Sequence, residues 1–186
     1  KKKNLFSIYL LSANKNFKLI CDQIIRFKPK IFIINDLKTL EKVKIKFKNK
    51  KIKLVNNINE CKFYLNKSSI SIAAIPGIEG LYPTIELIKK SQKVLIANKE
   101  SIICGWNLIN KELKKNKTQF IPVDSEHFSL WYGLQNLKIK NIEELYLTAS
   151  GGPFNNLSLN KFKDIRINQA LKHPNWKMGK KISIDS

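Results

Sequence analysis

Arginine is nearly missing from this 186-residue chain: of 35 basic residues only Arg26 and Arg166 are Arg, and the rest are Lys. Base edges and phosphates are gripped bidentately by the planar Arg fork, so the formal charge of +21 is weak support for a nucleic-acid reader. The Lys residues are also scattered. Even the densest run, Lys42 to Lys53, spaces them mostly two apart, which spreads them around a helix instead of along one face. A basic nucleic-acid-binding module thus rests on charge alone, and no specific nucleic-acid partner is expected. Cysteine is equally sparse. Cys21, Cys61 and Cys104 lie far apart, with no C-x-x-C pair and no His at zinc-finger spacing, so a zinc finger and a disulfide framework are excluded. Three buried, reduced thiols are expected. No apolar run reaches the roughly 18 to 20 residues that span a bilayer, and no signal-peptide core opens the chain. The expectation is a soluble intracellular protein without a membrane partner. A bacterial cytoplasm is expected, with a plastid left open because a transit peptide would precede Lys1. Glycine is short as well, and no G-x-G-x-x-G turn precedes or follows the first apolar run.

What the chain does have is a globular composition, 43% hydrophobic, enough for one domain or for one domain and part of another. Leu5 to Leu11 reads as a buried strand, with Ser12 to Asn16 as the turn after it. Leu19, Ile20, Ile24 and Phe27 recur at helical spacing until Pro29 stops the helix. Ile31 to Ile34, Ile52 to Val55, Ser69 to Ala74 and Val94 to Ile96 read as further strands, with a Lys-rich helix over 36–48 and another through Leu87 and Ile88. Such alternation predicts βαβ units: an incomplete Rossmann-like, doubly wound parallel sheet whose first βα unit is lacking. Ligands in such sheets sit beyond the carboxyl ends of the strands, where the turns 13–16, 77–80 and 97–101 fall. A boundary near Val123 separates residues 1–122 from residues 123–186, read as the start of an α+β catalytic domain.

At that boundary stands Pro122-Val123-Asp124-Ser125-Glu126-His127. If the strand of Phe120 and Ile121 continues, side-chain alternation sends Asp124 and Glu126 to the same side, as half of a cation site. Carboxylate oxygens favour Mg²⁺ or Mn²⁺ over zinc. The plainer reading is that Asp124 or Ser125 caps a helix through Phe128, Leu130, Trp131 and Leu134. Farther on, Glu144 to Thr148 reads as a strand running into Ala149-Ser150-Gly151-Gly152-Pro153. That turn suits either an anion cradle or a tight bend without a ligand. In the loop from His173 to Lys180, Trp176 and Met178 serve either as core plugs or as part of a closing lid, and Ile182 to Ile184 reads as a last strand.

Four segments taken together carry a resemblance: Ala97-Asn98-Lys99-Glu100-Ser101, Pro122 to His127, Ser150 to Phe154, and Ala170 to Gly179 with Lys181 to Ser186. In order and spacing the chain resembles the 1-deoxy-D-xylulose 5-phosphate reductoisomerase family, from about Asn4 to the last residue, over less than half of the family's full length. The resemblance implies NADPH- and Mn²⁺- or Mg²⁺-dependent isomerisation and reduction of that sugar phosphate to 2-C-methyl-D-erythritol 4-phosphate, in the non-mevalonate isoprenoid pathway. It implies Asp124 and Glu126 as metal ligands and Lys99, Glu126 and His173 as catalytic residues. Substrate contacts would come from Lys99, Ser125, Glu126, Ser150, His173, Trp176 and Ser186. Asn14, Lys15 and Asn16 would hold the NADPH 2′-phosphate, with Asn98, Glu100, Met178 and Gly179 as further cofactor contacts. A homodimer is implied too. Asn14 departs from the family's usual Gly, a mild change because Asn tolerates positive φ. The family's phosphate loop, third metal carboxylate, phosphate-binding Asn-Lys pair and helical domain are not in this sequence, so the 186-residue polypeptide alone is expected to bind NADPH poorly and turn over little. The competing reading within the family is an inactive remnant.

Overall fold

The structure is a computed structural model that describes residues 5–61, 68–148 and 151–174. The chain forms two units, residues 1–121 and residues 122–186.

In the first unit the elements alternate strand and helix. The first three strands are β1 (Leu10–Ala13), β2 (Ile31–Ile34) and β3 (Lys53–Val55), joined by α1 (Phe17–Phe27) and α2 (Leu37–Lys46). They form a parallel sheet in the order β1-β2-β3, with Leu10 opposite Ile31 and Ile31 opposite Lys53. All four residues of β2 are buried because both faces of this central strand are covered. Alternation sends Phe32 and Ile34 into one cluster with Ile20, Ile24, Leu40 and Val43 of the two helices. Ile31 and Ile33 go to the opposite cluster with Val55, Ile58 and Cys61. Each such fully buried Ile or Phe contributes on the order of 2 kcal/mol. Helix α1 ends where it must. Pro29 disfavours the right-handed helical region for Lys28, which instead turns left-handed at φ 48° and donates its N–H to the Ile24 carbonyl at 3.0 Å.

The second sheet of this unit has the order β4-β5-β6, from β4 (Ser68–Ala73), β5 (Ser91–Ile96) and β6 (Gln119–Pro122), with β4 and β5 parallel. Helices α3 (Leu81–Lys89) and α4 (Lys99–Asn116) pack on it, enclosing Ala73, Ile88, Val94, Ile96, Ile109 and Leu113. Gly105 breaks the regularity of α4 (φ −127°, ψ 18°), and a Cβ there would lie 2.4 Å from the Leu81 Cδ1 of α3. Its bare backbone thus lets the two helices approach. Tyr82 of α3 donates its hydroxyl to Asn59 Oδ1 at 2.5 Å, a polar tie between the two halves of the unit.

In the second unit the described elements are α5 (Ser125–Gly133), short 3-10 turns at Ile139–Asn141 and Leu159–Asp164, and α6 (Ile167–Ala170). None of these elements contains a buried residue.

Several expectations need correcting. The first strand begins at Leu10, not Leu5, because its ladder starts only where β2 offers Ile31; Leu5 and Phe6 lie exposed before it. Helix α4, 18 residues long, stands where only a turn was expected. Residues 144–148 form no strand: no described segment pairs with them, and Leu145, Tyr146 and Leu147 are exposed. Cys21 and Cys61 are buried, and burial pushes the Cys61 thiol up from its ordinary pKa, but Cys104 is exposed on α4. The expected strand 182–184 lies outside the described residues. The α/β class with parallel sheets is what the structure has.

Candidate functional site

Three turns carry the candidate residues. In the first unit, the turn after β1 holds Asn14, Lys15 and Asn16, all exposed. Asn16 caps α1, its Oδ1 accepting the Leu19 N–H at 3.1 Å. The turn is fastened to the next one along the sheet: the carbonyl of Asn14 accepts the Asp36 N–H at 3.3 Å, and that of Lys15 accepts the Thr39 hydroxyl at 3.4 Å. Asp36 caps α2, and bonds from the Thr39 hydroxyl and amide hold its carboxyl below the ordinary range. Asn14 is not among the residues with positive φ, so the exchange of Gly for Asn asks nothing unusual of the backbone.

The second turn follows β5. Asn98 caps α4 by accepting the Ser101 N–H at 2.9 Å, and its amide group donates to the Ile75 and Gly77 carbonyls. The side chain is 4% exposed. Asn98 thereby ties the loop after β4 to the head of α4, and places exposed Lys99 and half-buried Glu100 in the first helical turn. Gly80 makes this clasp possible, since a Cβ there would stand 2.1 Å from Asn98 Nδ2 and 2.3 Å from the Ile75 carbonyl oxygen. Sequence reasoning missed the clasp; the only sign was the two glycines, Gly77 and Gly80, beside a strand end.

The third turn lies in the second unit. β6 ends at Pro122, and Asp124 is the N-cap of α5, in extended backbone (φ −76°, ψ 153°). Strand alternation therefore does not govern this stretch, because Glu126 already belongs to the helix. What unites the two carboxylates is the helix's first turn. Asp124 Oδ1 accepts the His127 backbone N–H at 3.0 Å and lies 2.6 Å from His127 Nδ1. Ser125 donates its hydroxyl to Glu126 Oε2 at 2.9 Å. Thus Asp124, Ser125 and Glu126 are brought together on one turn, at the positive end of the α5 dipole, where negative charge is favoured. Two hard carboxylate donors suit Mg²⁺ or Mn²⁺ in kind; a group of three or more acidic, His or Cys ligands does not occur among the described residues.

His173 is half-buried after α6. Ser150, Trp176, Met178, Gly179 and Ser186 lie outside the described residues. An open groove lined by apolar Leu134, Leu137, Ile142, Leu145 and Tyr146 and polar Asn141, Glu143 and Glu144 contains none of the candidate residues. No described helix is long and apolar enough to cross a membrane.

The profile of the 1-deoxy-D-xylulose 5-phosphate reductoisomerase family matches residues 1–105, and that of the family's C-terminal domain matches residues 120–186. The chain belongs to the 1-deoxy-D-xylulose 5-phosphate reductoisomerase family. A reductoisomerase from Pelagibacter ubique is 53% identical over 184 residues, which cover 97% of this chain and 47% of the relative. One from a Wolbachia of Culex pipiens is 42% identical, over all of this chain and 48% of its own. Among solved structures, the reductoisomerase from Zymomonas mobilis in complex with NADPH superposes with a TM-score of 0.84 at 29% identity, over 99% of this chain and 48% of that one. Another, in complex with NADPH, fosmidomycin and magnesium, gives 0.81 at 26% identity, over 98% of this chain and 48% of that one. The chain thus spans about half the length of the reductoisomerases it matches.

Proposed function

We propose that this chain serves the NADPH- and divalent-metal-dependent isomerisation and reduction of 1-deoxy-D-xylulose 5-phosphate to 2-C-methyl-D-erythritol 4-phosphate, in isoprenoid biosynthesis. The observation that carries the reading is the α5 head, which gathers Asp124, Ser125 and Glu126 on one turn in a chain of this family. Reductoisomerase structures holding NADPH and magnesium support the choice of cofactor and ion.

On this reading the residues 1–122 bind NADPH. Lys15, exposed beyond the carboxyl end of β1 between Asn14 and Asn16, supplies the positive charge that a ribose 2′-phosphate needs and that an NAD enzyme replaces with an acid. Asn98 sets the turn from which Glu100 meets the cofactor and Lys99 the substrate. The residues 123–186 bind ion and substrate: Asp124 and Glu126 hold Mn²⁺ or Mg²⁺, Ser125 orients the substrate, and His173, Ser150 and Ser186 contact its polar and phosphate groups. Trp176 would contact the substrate, and Met178 and Gly179 the cofactor. A bound Mn²⁺ or Mg²⁺ supplies Lewis-acid stabilisation of the substrate's oxygens, and NADPH supplies the hydride. We further place the enzyme in a bacterial cytoplasm and assign it a homodimer, to be checked by sedimentation.

The test is NADPH consumption by the complete polypeptide as its source makes it, with the sugar phosphate, with and without Mn²⁺. Consumption that requires Mn²⁺ and falls about a hundredfold or more in D124N and in E126Q is expected, since an ion's charge stabilisation is worth several kcal/mol. No consumption under any metal would overturn the reading in favour of an inactive remnant.

A further inference from the structure

We propose that His127 is a positioning residue for the ion held by Asp124, its imidazole fixing the plane of that carboxylate. The inference rests on the reading of Asp124 as a metal ligand. Its own support is local geometry: two nitrogens of one residue, the backbone N–H at 3.0 Å and Nδ1 at 2.6 Å, converge on a single oxygen, Asp124 Oδ1. A carboxylate oxygen only accepts, so Nδ1 carries the proton, and this fixes the ring's tautomer or charge state at that nitrogen. An ordinary N-cap needs only the backbone bond, which already satisfies the orphan amide of the first turn. The second bond does something else. The last torsion of an Asp side chain is broad and roughly two-fold, so each donor that reaches the carboxylate narrows the range its plane can take. The imidazole Nδ1, from a ring of fixed shape, narrows it beyond what the backbone bond does, and with it the direction of the carboxylate's lone pairs. The Asp124 side chain is 14% exposed and the His127 side chain 52% exposed, so the carboxylate is largely shielded and the ring half open to solvent. Hydrogen-bonded partners of this kind orient metal-ligating carboxylates and keep their affinity for the ion.

The experiment is Mn²⁺ binding to the complete polypeptide without substrate, read as free Mn²⁺ by electron paramagnetic resonance. Wild type is compared with H127A, H127N and D124N, and each variant's helix content and Tm are followed by circular dichroism. The backbone cap bond survives in all the His127 variants. Asn places an amide N–H where the His Nδ1–H was, so it serves as the conservative replacement. H127A is expected to weaken Mn²⁺ binding by about tenfold, the low end for such partners because the ring is half exposed. H127N is expected to restore most of that affinity. If H127A binds Mn²⁺ like wild type while D124N loses it, the ion is where it was placed and His127 has no part in holding it. If H127A and H127N lose affinity equally, or only in step with a loss of helix, the effect is structural and the positioning role is overturned. If D124N itself binds Mn²⁺ like wild type, Asp124 is not the ligand and both readings fall.

Discussion

Ser101, in the first turn of α4, has a fully buried hydroxyl with no hydrogen-bond partner among the described residues. A buried hydroxyl without a partner is desolvated for nothing, at a cost of about 1–3 kcal/mol. Ser101→Ala removes that cost and leaves intact the bond that matters, from the Ser101 amide to Asn98 Oδ1. The variant is expected to be more stable by about 1 kcal/mol, a rise in the urea midpoint at unchanged slope. A lower midpoint would mean that the hydroxyl has a partner in solution. Nothing in the sequence distinguishes this Ser from an exposed one, because burial of α4 comes from α3 and the 3-10 turn Ile78–Gly80 packing against it. Caps were more legible. Asp36 and Asp124 cap as short polar residues before helical runs do, because their side chains reach the first-turn amides without help from the rest of the fold.

Elements were legible in proportion to how local their causes are. The run Ile31 to Ile34 is bounded by Lys30 and Asn35 and buried on both faces, and its ends are those of the strand. β1 was misplaced by five residues at its start because its register is set by a partner, not by its own hydrophobicity. Residues 144–148 have strand-forming side chains and no ladder, which shows how far β propensity depends on neighbours. α4 was overlooked because Gly105 interrupts its apolar spacing; only the packing with Leu81 explains why a Gly belongs there. The clasp at the head of α4 leaves no room for a side chain at Gly80. Gly80 has right-handed backbone (φ −75°, ψ −17°), so Ala is conformationally acceptable and the penalty is steric alone. Gly80→Ala drives a methyl into Asn98 Nδ2 and the Ile75 carbonyl and is expected to cost about 2–3 kcal/mol, as overpacking of a tight site does. Gly133→Ala, at the end of α5 with open space around it, is the control and should lose little or nothing. Urea denaturation of the pair measures the difference, and equal midpoints would show that the clasp gives way without cost.

At the scale of the whole molecule the charge of +21 and the candidate site pull toward different functions. A dispersed Lys surface attracts any polyanion through counterion release, with an affinity that falls as a power of salt and ignores base sequence. A sequence-reading module instead needs side chains placed against base edges, usually Arg, and the two Arg residues lie far apart in the chain, Arg26 at the end of α1 and Arg166 before α6. Titrating the complete polypeptide against two unrelated DNA duplexes should therefore give equal affinities, and both should weaken by orders of magnitude between about 50 and 200 mM salt. Mn²⁺ held by two carboxylates on one helical turn should respond far less, because contact ligation is screened less than attraction between dispersed surface charges. A duplex preference that persists at high salt would favour the nucleic-acid module over the enzyme. This separation was open to sequence reasoning because it depends on residue type more than on arrangement. The arrangement was not: strand alternation does not place Asp124 and Glu126, and the plainer reading, a helix cap at Asp124, is the one the structure has. The direction of a carboxylate follows from where β6 stops and α5 begins, which is set by the Asp124 cap itself.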